Sequence, residues 1–118
     1  MDEDRPIFQQ IAELIENDII AGVLPEEAQV PSTNEFAAFH RINPATAGKG
    51  VHLLVDTGIL YKKRGIGMFV APGARARLTS QRQTEFSERY IGPLLTEAEK
   101  LGITVEQLTA MIQKGATR

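Results

Sequence analysis

The hydrophobic pattern of this chain changes its period at Gly58, and this change limits the possible folds more than any other feature. Before Gly58, apolar residues recur at helical spacing, whereas residues 59–62 and 68–70 have the composition and alternation of short strands. Between the strands, Gly65 and Gly67 permit the positive φ angles of a tight hairpin. The sequence therefore predicts a mainly α-helical chain with one small β-hairpin.

Three helices are predicted before the hairpin. The first covers residues 6–21, because Pro6 suits a first helical turn and an apolar stripe follows it. The stripe consists of Ile7, Ile11, Leu14, Ile15 and Ile19. Ser32 and Glu35 have the spacing of a capping box, which predicts the start of the second helix. The side chains expected to face inward from this helix are Phe36, Ala37 and Phe39.

The third helix is predicted over residues 44–57, after a tight turn at residues 40–42. Asn43 is a good N-cap, and the proline after it suits the first helical position. Gly48 and Gly50 lie inside this helix, and each costs roughly 1 kcal/mol relative to alanine. We therefore expect a locally loose helix that depends on packing by its neighbours.

The chain after the hairpin is predicted to be helical in its second part. Residues 74–79 are expected to form a basic connector. A long helical segment over residues 80–101 is interrupted by the Gly-Pro pair at 92–93, since proline removes a backbone donor. Thr104 predicts the cap of one last helix.

The charges of the chain are strongly segregated, although the formal net charge is only −2. Residues 1–35 hold nine acids and one base, whereas residues 41–82 hold eight bases and one acid. Attraction to phosphate depends on the local surface rather than on the sum over the chain. The basic stretch therefore favours nucleic-acid binding, while a merely solvated charged surface would explain the same composition.

Residues for catalysis or metal binding are scarce. The chain has no cysteine, which removes thiolate ligands, disulfides and a cysteine nucleophile. His40 and His52 have no nearby pair of carboxylates, so structural roles are expected for both. We predict that the protein is not an enzyme and has no catalytic residue, no metal and no cofactor. No signal peptide is evident and no apolar run reaches the roughly 18 residues of a membrane span. A cytoplasmic protein without a membrane partner is therefore expected.

The three helices and the hairpin together predict a winged helix-turn-helix over residues 1–72, followed by a helical segment over residues 73–118. A helix fits the major groove of DNA, and a hairpin can lie along the adjacent minor groove. We call residues 62–67 the wing. The candidate DNA contacts are Ser32, Thr33, Asn34, Arg41, Asn43, Ala45, Thr46, Lys49, Lys62, Lys63, Arg64, Gly65 and Gly67.

Most of these candidates also have a purely structural explanation. Asn43 can serve only as a cap, and Thr46 can fill a gap in the packing. Residues 32–34 can only cap the second helix, and Arg41 and the wing can be solvated charged turns. The sequence leaves these alternatives open.

Five segments of the first 70 residues stand in the order and spacing of one bacterial regulator family, over about 65 residues. They are residues 6–11, 30–37, 43–46, 56–60 and 64–70. The chain resembles the GntR family of transcription regulators. Its Asn-Pro-x-Thr helix start and its short helical tail are similar to the YtrA-like subgroup.

This resemblance implies a homodimeric repressor that binds an inverted-repeat operator. By position, Ser32 and Asn34 would contact the DNA backbone. The residues facing the major groove would be Asn43, Ala45, Thr46 and Lys49, and those at the wing tip Arg64, Gly65 and Gly67. Many relatives carry arginine at three positions that here are Asn34, Pro44 and Gly48. The absence of these arginines is a departure from the family pattern and predicts a distinct or weaker operator preference.

The helical tail is too rich in apolar side chains for an isolated two-helix hairpin in water. Burial against a second copy would cover them, and packing on the chain's own first domain is the alternative. The predicted dimerisation residues are Phe86, Tyr90, Leu94, Leu95, Leu101, Leu108, Met111 and Ile112. A cavity between the tail helices, or at the seam of the dimer, is a hypothetical site for an unknown small-molecule effector.

The sequence therefore predicts a sequence-specific regulator whose partners are double-stranded DNA and a second copy of itself. The alternative is a protein-interaction module with the same fold and little DNA specificity. A partner captured through the tail, without any selected duplex, would favour that alternative.

Overall fold

The structure is a computed structural model that describes residues 4–117. In chain order its elements are α1 (Ile7–Ile20), α2 (Thr33–His40), α3 (Pro44–Asp56), β1 (Leu60–Lys63), β2 (Gly67–Val70), α4 (Ala74–Phe86), a π-helical turn (Ser87–Ile91), α5 (Gly92–Lys100) and α6 (Val105–Ala116). The chain forms two compact units, divided between Thr79 and Ser80 inside α4. The mainly helical fold with one hairpin is confirmed. The proposed domains 1–72 and 73–118 stay a prediction. Across residues 4–117, no helix has both the length and the apolar character needed to cross a membrane.

The core of the first unit is built by α1, α2, α3, the hairpin and the first turns of α4. Its buried members are Ile11, Ala12, Ile15, Ile19, Val30, Phe36, Ala37, Ala47, Val51, Leu54, Ile59, Leu60, Val70, Ala74 and Leu78. Burial of apolar side chains is the main force that holds such a unit together. Ile7, the first member of the predicted apolar stripe and the first residue of α1, lies outside the core and is 45% exposed.

The packing by neighbouring residues on which α3 was expected to depend is present at Gly50. A Cβ on Gly50 would lie 2.8 Å from Cγ2 of Ile11 and 2.8 Å from the carbonyl oxygen of Phe8. Gly50 is buried at the crossing of α3 with α1. The missing side chain lets the two backbones approach closely, so this glycine serves packing.

The start of α2 agrees with its sequence signal. The Ser32 hydroxyl accepts from the Glu35 amide at 3.1 Å, and the Glu35 carboxylate accepts from the Ser32 amide at 3.4 Å. The inward prediction for Phe39 was wrong, because this side chain is 83% exposed. His40 takes the position one turn after Phe36, with the ring centroids 4.3 Å apart.

The hairpin is antiparallel and pairs Leu60 with Val70 and Lys63 with Gly67. Both strands therefore reach one residue closer to the tip than predicted, and the turn contains only three residues. On its other edge, β2 is joined by the connector between α1 and α2. The amide of Val30 donates to the carbonyl of Met68 at 2.9 Å, and the neighbouring residue on the connector bridges to β2. The hairpin is thus fixed along both edges of β2.

The prediction of a basic connector over residues 74–79 was wrong, because these residues form the first turns of α4. Ala74 and Leu78, one helical turn apart, are buried in the core of the first unit. Arg75 and Arg77 turn back to the ends of α1 and α3, and their guanidinium groups donate to backbone carbonyls there. The abundance of polar residues in this stretch concealed its helix, since only two apolar positions face the core.

The second unit is interrupted by the π-helical turn, which precedes the Gly-Pro pair at which the interruption was predicted, and this pair itself begins α5. Pro93, the second residue of α5, lacks the N–H that a regular helix requires, which accounts for the changed hydrogen bonding in the preceding turn. The predicted cap of the last helix is present, since the Thr104 hydroxyl accepts from the Gln107 amide at 3.1 Å. Among the residues described in this unit, Ala98 and Leu108 are buried and the other large apolar side chains are mostly exposed.

Candidate nucleic-acid interface

The thirteen candidate DNA contacts all lie in the first unit, and none of them is buried. They occupy four places: the first turn of α2, the turn before α3, the first half of α3, and the wing. The sequence thus selected side chains that are accessible to a ligand. The structure adds the contacts that each of them makes within the protein.

At the start of α3, Asn43 acts as the helix cap. Its Oδ1 accepts from the amide of Ala45 at 2.7 Å. The capping bond engages one lone pair of this oxygen, and the amide NH₂ of Asn43 offers two donors that the cap does not use. The two-bond contact of an asparagine with adenine needs both a donor and an acceptor. Asn43 is therefore suited to donate one bond to a base or phosphate acceptor.

The turn between α2 and α3 depends on the left-handed conformation of Arg41, with φ 55° and ψ 50°. The amide of Ile42 then donates to the carbonyl of Ala37 at 3.0 Å, which closes the end of α2. The Arg41 side chain is exposed. A glycine would adopt this backbone more easily, so the arginine side chain is retained at a conformational cost.

Lys49 has a partner that sequence reasoning missed. Its ammonium lies 4.1 Å from the centre of the Phe8 ring, across the contact between α3 and α1. A cation over an aromatic face is held by the ring quadrupole. The interaction restricts Lys49 to the region beside α1, and no local pattern reveals it because the two residues are far apart in sequence.

The wing carries Lys62, Lys63 and Arg64, all exposed. The Lys63 ammonium lies 4.4 Å from the centre of the Phe69 ring, on the neighbouring strand. Tyr61 donates a hydrogen bond to the Glu27 carboxylate, which raises the pKa of the tyrosine hydroxyl above its usual value. The cationic strand is therefore held by aromatic and polar contacts along its length.

The tip of the wing holds two features that the sequence analysis did not single out. Ile66 is 64% exposed although it is aliphatic. Gln29, from the connector before α2, donates from Nε2 to the carbonyl of Ile66 at 3.0 Å. The sequence did contain a signal for the exposed apolar side chain, because Ile66 is strongly apolar and lies between two glycines. No sequence signal identifies the hydrogen bond from Gln29 to Ile66, because the two residues are 37 positions apart.

Comparison with known proteins identifies the family. No family model matches the chain. A transcriptional regulator of the GntR family from Bacteroides thetaiotaomicron has 33% sequence identity and a TM-score of 0.80, over 95% of this chain and 97% of that one. The chain belongs to the GntR family of transcription regulators. Its fold is accordingly the winged helix-turn-helix of that family, as predicted.

Two further relatives of this GntR-family chain are informative. The HTH-type transcriptional repressor YtrA of Bacillus subtilis is 27% identical over 109 residues, which are 92% of this chain and 83% of YtrA. The DNA-binding domain of AraR, solved with operator ORX1, has 30% identity and a TM-score of 0.55 over 60% of this chain and 87% of that one. The family consists of transcription regulators, so the prediction that this chain is not an enzyme is confirmed.

Proposed function

We propose that this GntR-family chain is a cytoplasmic, homodimeric repressor that binds an inverted-repeat operator. The start of α3 would enter the major groove, and the wing would lie along the adjacent minor groove. The observation that carries the proposal is the placement of a cationic hairpin and a polar, accessible helix start in the same compact unit.

The accessible groups of this unit suit DNA. The first turn of α3 presents the amide NH₂ of Asn43 beside the backbone N–H groups of a helix N-terminus, which favour phosphate. Ser32 keeps its O–H as a donor while its oxygen caps α2. The three wing cations supply a sequence-independent attraction to the duplex. Relatives of this chain include a named repressor and a domain solved on its operator.

The homodimer is supported by the apolar surface of the second unit. Its exposed large apolar side chains are Phe86, Tyr90, Ile91, Leu94, Leu95, Leu101, Val105, Met111 and Ile112. This set includes seven of the eight predicted dimerisation residues and adds Ile91 and Val105, whereas Leu108 is buried within the chain. A second copy with the same surface would bury such a patch symmetrically, and a two-fold dimer matches a palindromic operator. An effector at the seam of this dimer stays part of the proposal.

Salt-dependent DNA binding tests the role of the wing. The wild-type chain first selects duplexes from a random pool, and the affinity for a selected duplex is then measured across a salt series. Replacing Lys62, Lys63 and Arg64 with alanine should reduce the slope of log affinity against log salt by about 2–3, because each lost phosphate contact removes roughly 0.9.

The matched control removes three cations of the second unit, Arg89, Lys100 and Lys114. This variant has the same net charge as the wing variant and should keep the wild-type slope. If both variants bind with the wild-type slope, the wing does not contact DNA. If the wild type selects no duplex sequence and instead binds another protein through its second unit, the interaction module is the correct function.

A further inference from the structure

The tip of the wing presents one apolar side chain between two residues that have none. Gly65 and Gly67 flank Ile66 and have φ angles of 78° and 146°, a region that favours glycine. The amide of Ile66 donates to the carbonyl of Lys63 at 2.9 Å and closes the turn. The tip is therefore narrow, and among the described residues of the hairpin Ile66 is the one large apolar side chain that is exposed.

Gln29 holds this tip in place. Its side chain donates to the Ile66 carbonyl and occupies the space beside Gly67, where a Cβ would lie 2.6 Å from Nε2 of Gln29. The backbone of the same residue bridges to Phe69 on β2. A hairpin tip is ordinarily among the more mobile parts of a protein. Here one amide side chain ties it to the connector that precedes α2.

We infer that Ile66 is a specificity-determining contact that selects A·T over G·C pairs through the minor groove, and that Gln29 is the positioning residue that aims it. This inference rests on the proposed function of the wing. A narrow tip suits a groove about 6 Å wide, and the neighbouring cations would hold it there. Apolar side chains are also the type that proteins insert into the minor groove.

The chemical basis is the amino group of guanine. In the minor groove A·T pairs present only acceptors, whereas a G·C pair adds the N2 amino donor. An isoleucine side chain cannot accept a hydrogen bond, so it would cover this donor and leave it unsatisfied. The contact would thus penalise G·C without making any polar interaction with A·T.

Substitution with inosine tests this inference. An inosine·C pair has the major-groove groups of G·C but lacks the N2 amino group. In a duplex selected by the wild-type protein, each A·T pair is replaced by G·C and, separately, by inosine·C. At the wing positions, we expect G·C to lower the affinity about fivefold or more, as a mismatched pair does, and inosine·C to leave it within about twofold of the A·T duplex.

Variants at position 66 separate direct contact from DNA flexibility. Ile66→Ala should reduce the G·C penalty to below about twofold while affinity for the A·T duplex falls only slightly. Ile66→Asn offers an acceptor to the amino group and should remove or invert the preference. Val23→Ala, at another exposed aliphatic residue of the first unit, is the matched control and should keep the wild-type penalty.

Gln29→Glu tests the positioning role, because it keeps the shape of the side chain but removes the donor to the Ile66 carbonyl. The G·C penalty should shrink and the thermal midpoint should fall slightly, because one hydrogen bond is lost, while the preference at major-groove positions is unchanged. A penalty that persists in Gln29→Glu overturns the role of Gln29.

A penalty that inosine does not relieve, or that persists in Ile66→Ala, overturns the role of Ile66 while the proposed function stands. Failure of the wild type to select any duplex overturns both.

Discussion

Gly50 illustrates how a single residue fixes the contact between two helices. On helix propensity alone, a glycine inside α3 is unfavourable. Its absent side chain, however, leaves room for Ile11 and for the Phe8 carbonyl at the crossing of α1 and α3. Gly48, one half-turn earlier, has no such constraint, since a Cβ there would lie 3.5 Å from Cγ2 of Thr33 in ordinary contact.

These two glycines predict opposite effects of the same substitution. Gly50→Ala should lower the free energy of unfolding by about 1–3 kcal/mol, because the added methyl group overpacks the crossing. Gly48→Ala should raise it by about 0.5–1 kcal/mol, because it gains helix propensity without a clash. Urea denaturation of both variants measures the difference. A stabilised Gly50→Ala would show that α1 and α3 are not in close contact.

Arg41 illustrates a residue whose backbone and side chain have opposing requirements. Its left-handed conformation costs a non-glycine residue roughly 1–2 kcal/mol. The exposed arginine side chain makes no contribution to the core of the first unit. A side chain kept under these conditions is consistent with the proposed contact of Arg41 with phosphate.

Replacing Arg41 with glycine should therefore separate stability from DNA binding. We expect Arg41→Gly to raise the free energy of unfolding by about 0.5–1 kcal/mol. The same variant should lower the slope of log affinity against log salt by about 1, for one lost phosphate contact. Arg41→Ala, which loses the charge but keeps the strained backbone, should show the DNA effect without the stabilisation. An unchanged salt slope in both variants would contradict the phosphate contact.

At the scale of elements, arginine side chains of α4 cap the C-terminal ends of two helices that precede it in the chain. The Arg77 guanidinium donates from Nη2 to the carbonyl of Thr57 at 2.8 Å and from Nη1 to that of Gly58 at 3.1 Å. Arg75 donates from Nε to the carbonyl of Ile20 at 3.0 Å. The C-terminal ends of helices carry unsatisfied carbonyls and partial negative charge, which arginine neutralises. The first turns of α4 thus supply side-chain caps for the C-terminal ends of both α1 and α3.

Loss of these caps should destabilise the first unit in a graded way. Arg77→Ala removes two hydrogen bonds and should lower the free energy of unfolding by about 1–2 kcal/mol. Arg75→Ala removes one bond and should cost less. Arg77→Lys should recover only part of the loss, because an ammonium lacks the planar fork that spans two carbonyls. Equal stability of the wild type and Arg77→Ala, measured by thermal denaturation, would exclude the capping role.

At the scale of the whole molecule, the proposed function assigns different roles to the two units. The first unit has a continuous buried core and carries the candidate DNA contacts. In the second unit most of the large apolar side chains are exposed, which a chain in water normally avoids by association. In the proposed dimer, DNA binding and association should therefore be coupled through the symmetry of the operator.

A charged residue in the apolar surface of α6 should separate these activities. Met111→Glu should convert a dimer into a monomer, because an unpaired carboxylate would be buried in the interface. Sedimentation equilibrium measures the mass, and the affinity for a palindromic duplex should fall at least about tenfold while binding to a half-site persists. Gln113→Glu adds the same charge at a polar position of α6 and should stay dimeric. A wild type that sediments as a monomer would contradict the homodimer.

Much of this protein follows from its sequence, because the relevant signals are local. The caps at Ser32, Asn43 and Thr104 depend on atoms within three residues, and each is present where it was predicted. The change of period at Gly58 likewise predicts the order of helices and hairpin, since the burial of a helix or strand face repeats along a few turns. The candidate DNA contacts were likewise selected from local patterns, and none of them is buried.

The tertiary structure decided what depends on residues that are distant in the chain. The packing role of Gly50, the Lys49–Phe8 contact and the helical identity of the segment at Ala74 each require a partner from another element. The bond from Gln29 to Ile66 joins the connector to the wing in the same manner. No periodic pattern encodes such pairs, because their geometry exists only after the helices have packed.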